Sequence, residues 1–216
     1  MLFRSTSFLT TDKLDAGFRY GSDLVTIVAD ATLPGGLGTF GWDDEGVAAQ
    51  AVPIVREGIF SGYLSSRETA PRIGRHSGGA MRADGYDRIP LIRMTNVSLM
   101  PVPGKTLAQI VEETDDGVYL ASNRSWSIDD RRLNFQFATE VAREIRGGRL
   151  GRLYRNATYT GSTPEFWRSC DAVADESSWQ LLGVPNCGKG EPGQVAFVSH
   201  GASGARFRGV RVGVGR

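Results

Sequence analysis

Two cysteines and two histidines are all that the 216 residues contain. Cys170 and Cys187 are too few for a disulfide framework. With His76 and His200 they offer the right donors for zinc, but no pair has the short spacing that pre-forms a site. Long apolar runs are also missing. The opening stretch from Met1 to Thr10 lacks both the charged and the apolar region that export requires, so neither a signal peptide nor a membrane helix is expected, and the few cysteines fit a reducing cytoplasm. Charge of one sign is scarce: 25 Lys and Arg against 24 Asp and Glu leave a net +1, which removes the global field that draws proteins to nucleic acid or anionic membranes. Arginines do cluster at 143–155 and 206–216, but they alternate with apolar or glycine positions as solvated strand faces do. No Gly-x-Ser-x-Gly elbow or Gly-x-x-x-x-Gly-Lys-Ser/Thr loop occurs, and neither histidine has a triad motif around it.

What is abundant is glycine, 28 residues falling between short apolar runs, the punctuation of many strands joined by tight turns. The pattern predicts strands over 24–30, 51–56, 59–64, 94–100, 134–145, 149–154, 193–198 and 207–214. Glu57-Gly58 and Gly147-Gly148 are the two hairpin turns, each supplying a residue that tolerates positive φ. Helices are expected only over 106–114 and 163–173. The second has Thr163 as its cap and Pro164 at the first helical position, with Phe166, Cys170 and Val173 lining one side. The fold class is therefore mainly β (α+β): an antiparallel sheet or barrel-like sandwich with two short helices, and no domain boundary is evident within 1–216.

The segment from Val184 to Gln194, VPNCGKGEPGQ, is the most unusual. It reads as a turn-forming run, neither buried helix nor central strand, that exposes Cys187 and lets backbone amides and Lys189 approach the sulfur. Those conditions favour a thiolate suited to metal ligation or nucleophilic attack. The plainer alternative is a small residue packed beneath a loop. Cys170, on the apolar side of the second helix, reads as core. The acidic clusters Asp43-Asp44-Glu45, Asp115-Asp116 and Asp129-Asp130 suit turns. Arg93 and Asn96 either mark a functional edge or follow from strand entry after Pro90.

Taken together, Thr39-Phe40-Gly41-Trp42-Asp43-Asp44-Glu45-Gly46, Arg93-Met94-Thr95-Asn96, Asp116-Gly117-Val118-Tyr119 and Asn186-Cys187-Gly188-Lys189-Gly190 resemble, in order, the C-terminal half of the TldD/PmbA family of zinc metallopeptidases, closest to the TldD side. The resemblance implies a zinc ion held by two histidines of a His-Glu-x-x-x-His helix and by a later cysteine, with the glutamate as general base on a metal-bound water. Cys187 matches that cysteine. Asn186 and Gly188 would then flank a groove for an extended peptide, which could be held by added-strand hydrogen bonds. The His-Glu-x-x-x-His motif is absent from this sequence, and residues 1–20 read as the region that follows it.

The resemblance therefore implies a cysteine-bearing C-terminal domain that is inactive alone. Its partners would be a peptide substrate and, in a homo- or hetero-oligomer, a second copy or a TldD/PmbA paralogue; neither nucleic acid nor a membrane is expected. A different class of reading is a non-catalytic interaction subunit. A third, a cysteine-nucleophile hydrolase, needs a histidine near Cys187, and nothing local nominates His200.

Overall fold

The computed structural model describes residues 7–190 and 193–214. Met1 to Thr6, part of the opening 1–20 region, and Glu191-Pro192 of the glycine-rich segment lie outside the described residues. In chain order the strands are β1 (Ile27–Asp30), β2 (Ala51–Arg56), β3 (Ile59–Phe60), β4 (Met81–Arg82), β5 (Leu91–Ile92), β6 (Asn96–Leu99), β7 (Asp116–Ile128), β8 (Asn134–Arg146), β9 (Arg149–Tyr154) and β10 (Ala157–Ser162), followed by β11 (Cys170–Val173), β12 (Gln180–Lys189), β13 (Gln194–Ala202), β14 (Ala205–Phe207) and β15 (Arg211–Val214). Two short helices, α1 (Leu107–Glu112) and α2 (Thr163–Arg168), complete the set together with three single-turn 3-10 segments.

Six strands form one sheet in the order β12-β13-β6-β1-β2-β3, and a second runs β15-β10-β8-β7 with β9 also paired to β8. Neither closes into a barrel, so the mainly-β expectation stands as open sheets. Among the described residues only β13 and β6 pair in parallel, through Ser199 and Asn96. Parallel neighbours need a long crossover, and here β7 to β10, all of the second sheet but β15, lie in the excursion between them. Both foreseen hairpin turns form. Glu57 and Gly58 have φ of 48° and 78°, and Gly147 and Gly148 have 51° and 74°, the positive pair of a type I′ turn. Gly148 is required on a second ground, since a Cβ there would lie 2.3 Å from the carbonyl oxygen of Glu112.

Val25, Val55, Leu99, Cys170 and Val173 form the main core, with Tyr20, Trp167 and Phe207 packed on it. A run of rings ties the second sheet to that core: Phe135 meets Phe166 edge-on, and Phe166 stacks on Phe207 at 3.9 Å between centroids. Helix α1 starts at a capping box in which the Thr106 hydroxyl accepts from Gln109 N and the Gln109 side chain accepts from Thr106 N, an arrangement that stabilises such a terminus by about 1 kcal/mol.

Several expectations are corrected. The helix over 163–173 stops at Arg168; its cap position is Ser162, Thr163 is helical, and the chain turns at Ser169 into β11. Cys170 is thus a strand residue, not a helical one. It is core as expected, 3% exposed, and burial pushes its thiol up to about 11. Strand 59–64 shortens to Ile59–Phe60 and 94–100 to Asn96–Leu99, while 207–214 divides into β14 and β15. Strands β4, β5, β7, β10, β11 and β12 were not foreseen. The largest correction is that residues 180–189 form a strand, whereas 184–194 read as a loop. β12 is the outermost strand of its sheet, and its pairing is bulged between Val184 and Cys187. Edge position and bulge together remove the objection to Pro185, because no ladder hydrogen bond is needed from its nitrogen.

Candidate functional site

Cys187 therefore sits on an edge strand, half-buried, opposite Ala196 of β13. The pleat puts alternate residues on one face, so Lys189 shares the face of Cys187, while Asn186 and Gly188 lie on the other. Asn186 and Gly188 are both exposed, and a Cβ on Gly188 would meet open space.

What fixes this end of the hairpin is Arg93, 3% exposed. Its guanidinium donates from Nη2 to the carbonyl oxygen of Cys187 and from Nη1 to that of Gln194 at 3.0 Å, spanning both strands where the hairpin turns. Gln194, itself buried, accepts from Asp84 N at 3.0 Å and donates to Ile89 O at 2.7 Å, and the Asp84 carboxylate accepts from Val195 N at 3.1 Å. Lys189 Nζ donates to Ile92 O at 2.7 Å. The hairpin is thus latched to residues 84–93 by side chains bonded to main-chain atoms. This is the arrangement that satisfies buried polar groups without a buried ion pair.

The neighbouring motif segments are tied in as well. Asn96, fully buried, accepts from Gly38 N at 2.9 Å and donates to Asp30 O at 2.7 Å and Thr39 Oγ1 at 2.9 Å. Asp43 accepts from Glu45 N and Val47 N through one oxygen and from Met81 N through the other, which is turn chemistry, as expected. It also fixes β4. Arg82 on β4 donates to Met94 O at 2.8 Å and lies over the Phe40 ring at 5.8 Å. Burial, and after it the charge of Arg93, pulls both Arg82 and Lys189 below their ordinary pKa values.

Three of the four motif segments thus converge on one end of the six-stranded sheet, whereas Asp116 to Tyr119 begins β7 in the other sheet. Arg93 and Asn96 are not exposed edge residues but the buried frame beneath one. Gln194 and Arg82 carried no sequence signal, since nothing in their local pattern separates a latch from a solvated polar residue.

Cys170, Cys187, His76 and His200 are not brought together. His200 Nδ1 is 3.1 Å from Val97 O, His76 is exposed, and among the described residues no group of three or more His, Cys, Asp or Glu could hold a metal ion. The chain's described residues thus supply one thiol and do not by themselves fit zinc. Two cavities, of about 720 and 640 Å³, lie elsewhere: one between α1 and the second sheet, the other along β2 and β3 beside His76. Cys187, Asn186 and Gly188 line neither. No helix among the described residues is long and apolar enough to cross a membrane.

Comparison with known proteins places these features. Residues 1–214 match the PmbA/TldA metallopeptidase C-terminal domain. The chain is 34% identical over 195 residues to Metalloprotease MJ0996 of Methanocaldococcus jannaschii, covering 90% of this chain and 41% of that protein. It is 25% identical over 172 residues to a zinc metalloprotease TldD homolog of Saccharolobus solfataricus, covering 80% and 37%. In fold it matches the crystal structure of a Thermotoga maritima protein proposed as a modulator of a DNA gyrase, with TM-score 0.77 and 20% identity over 97% of this chain and 43% of that one. The chain spans less than half the length of these relatives. With the match running from one end of the chain almost to the other, this chain belongs to the PmbA/TldD metallopeptidase family and corresponds to its C-terminal domain.

Proposed function

We propose that this chain is the cysteine-bearing half of a zinc metallopeptidase centre and is inactive alone. The observation that carries the reading is the pairing of a half-buried Cys187 on an open strand edge with a buried clamp, Arg93, on its own carbonyl. A thiol meant only for packing gains nothing from such a clamp, whereas a ligand needs its backbone held to a fraction of an ångström. Zinc, the two histidines and the glutamate base are carried over from the family resemblance, and no catalytic step is derived for them from this chain.

The substrate in this reading is an extended peptide laid along β12 past Asn186 and Gly188, where the edge strand offers unpaired main-chain groups for strand addition. The partner is a second copy or a paralogue. Supporting that is β7, which has β8 on one side and no strand on the other among the described residues, with Trp126 and Ile128 exposed along it; proteins ordinarily cover such edges. The compartment proposed is the cytoplasm, on the scarcity of cysteine.

The test is reconstitution. Purified chain with zinc should not hydrolyse peptides. Adding the part of the Methanocaldococcus jannaschii relative that lies outside the match should restore metal-dependent hydrolysis, and Cys187→Ser should lower it by about a hundredfold or more, as loss of a ligand does. Hydrolysis by the chain alone, or an unchanged rate in Cys187→Ser, would sink the reading.

A further inference from the structure

Three cationic side chains gather around Cys187, and each of them donates to a main-chain carbonyl: Arg82 to Met94, Arg93 to Cys187 and Gln194, Lys189 to Ile92. None takes part in the ion pairs found among the described residues. Holding like charges together in partly buried positions is unfavourable. One carboxylate, Asp44, is within electrostatic range of Arg82 but is itself hydrogen-bonded to Ala83 N at 2.6 Å. A second, Asp84, accepts from Val195 N at 3.1 Å at the same hairpin, and neither carboxylate is ion-paired with any of the three cations.

The donors are also incompletely used. An ammonium has three and a guanidinium five. Lys189 spends one on Ile92 and Arg82 one on Met94, the latter steadied by the Phe40 face beneath it. Arg93 is sealed inside and serves as the frame, but Lys189 is exposed and Arg82 half-buried. β4 pairs with β5, which sets Arg82 opposite Leu91, the neighbour of Ile92 whose carbonyl Lys189 reaches. Lys189 follows Cys187 by two residues on the same face of β12, roughly 7 Å along the strand.

We propose that Arg82 and Lys189 form a carboxylate-binding subsite beside Cys187, selecting peptides that carry an anionic group, a free C-terminus or an acidic side chain, next to the bond acted upon. The inference rests on the reading of Cys187 as part of the peptidase centre. A guanidinium and an ammonium, each with donors left over after one carbonyl bond, suit a carboxylate, and charge-assisted bonds of this kind are the strong ones.

The experiment measures equilibrium binding to the full chain of four matched fluorescent peptides: Asp or Asn at one internal position, each ending in a carboxylate or an amide. The expected result is about tenfold tighter binding of the peptides bearing the recognised carboxylate, a ratio that salt weakens. The two arms tell side-chain from terminal recognition. In Arg82→Gln, and separately in Lys189→Gln on the exposed edge strand, that ratio should fall toward one. Equal affinity for all four peptides, no measurable binding of the acidic ones, or a ratio unchanged in both variants would overturn the proposal. A lost ratio with a metal centre that still depends on Cys187 sinks this inference alone. A retained ratio with a centre indifferent to Cys187 sinks the functional reading instead.

Discussion

The β12–β13 hairpin and the β8–β9 hairpin both turn through glycine-containing sequence and both reach the surface, yet they are tied down by different chemistry. The first is held from beneath by Arg93 and Gln194, each bonded to main-chain atoms on the far side of the turn. The second is held at the surface by exposed arginines, where the half-buried Glu144 carboxylate accepts from Arg152 at 3.1 Å through both of its oxygens and from Arg146 at 3.3 Å, while Leu150 and Leu153 stay exposed. Buried donors that lose their acceptors, or the reverse, cost far more than exposed ion pairs. The chain thus anchors the hairpin of Cys187 through buried donors and the other one through exposed arginines.

The sharpest way to break this comparison is Arg93→Ala. It strands the carbonyls of Cys187 and Gln194 and should cost about 3–4 kcal/mol in urea unfolding. The exposed Arg152→Ala should cost under about 1 kcal/mol. Equal losses would erase the distinction between the two hairpins.

A smaller effect sharpens it through pH. Hydrogen bonds from Arg152, aided by Arg146, hold the Glu144 carboxyl down to about 2. A depressed carboxylate contributes stability that is fully present above its unfolded value and is lost as pH falls through the folded one. The tie should therefore persist at neutral pH and weaken from about pH 4.5 down to about 2. NMR titration of Glu144 checks the position of the midpoint, and in Arg152→Ala that midpoint should move upward. A midpoint near the ordinary carboxylate value in the unsubstituted chain would show that the ion pairs do not form in solution.

Which parts of this were readable beforehand follows from local chemistry. β2 and β9 are found at the expected bounds because each abuts a turn, Glu57-Gly58 or Gly147-Gly148, whose positive φ fixes the register. β7 was missed because its second half, Ser122 to Ile128, is exposed on both faces and shows no alternation to read. β12 was missed because proline, asparagine and glycine signal turns wherever an edge and a bulge do not excuse them. The second helix was carried too far because Phe166, Cys170 and Val173 keep helical spacing even though the chain turns at Ser169; their burial is real, but it is shared between a helix and a strand. At the site, Cys187 stood out by its neighbours in sequence. Arg93 stood out only as a motif residue, and neither it nor Gln194 could be read as a latch, since their partners are about a hundred residues away and only the fold reveals them.

The central claim is that Cys187 is a metal ligand held in place by this buried frame. Cobalt(II) titration of the chain, combined with the remaining part of the Methanocaldococcus jannaschii relative, tests it most directly. A thiolate-to-cobalt charge-transfer band that saturates at one metal per complex and disappears in Cys187→Ser is the predicted result. A tightly bound cobalt with no such band, or one whose spectrum is the same in Cys187→Ser, would contradict it.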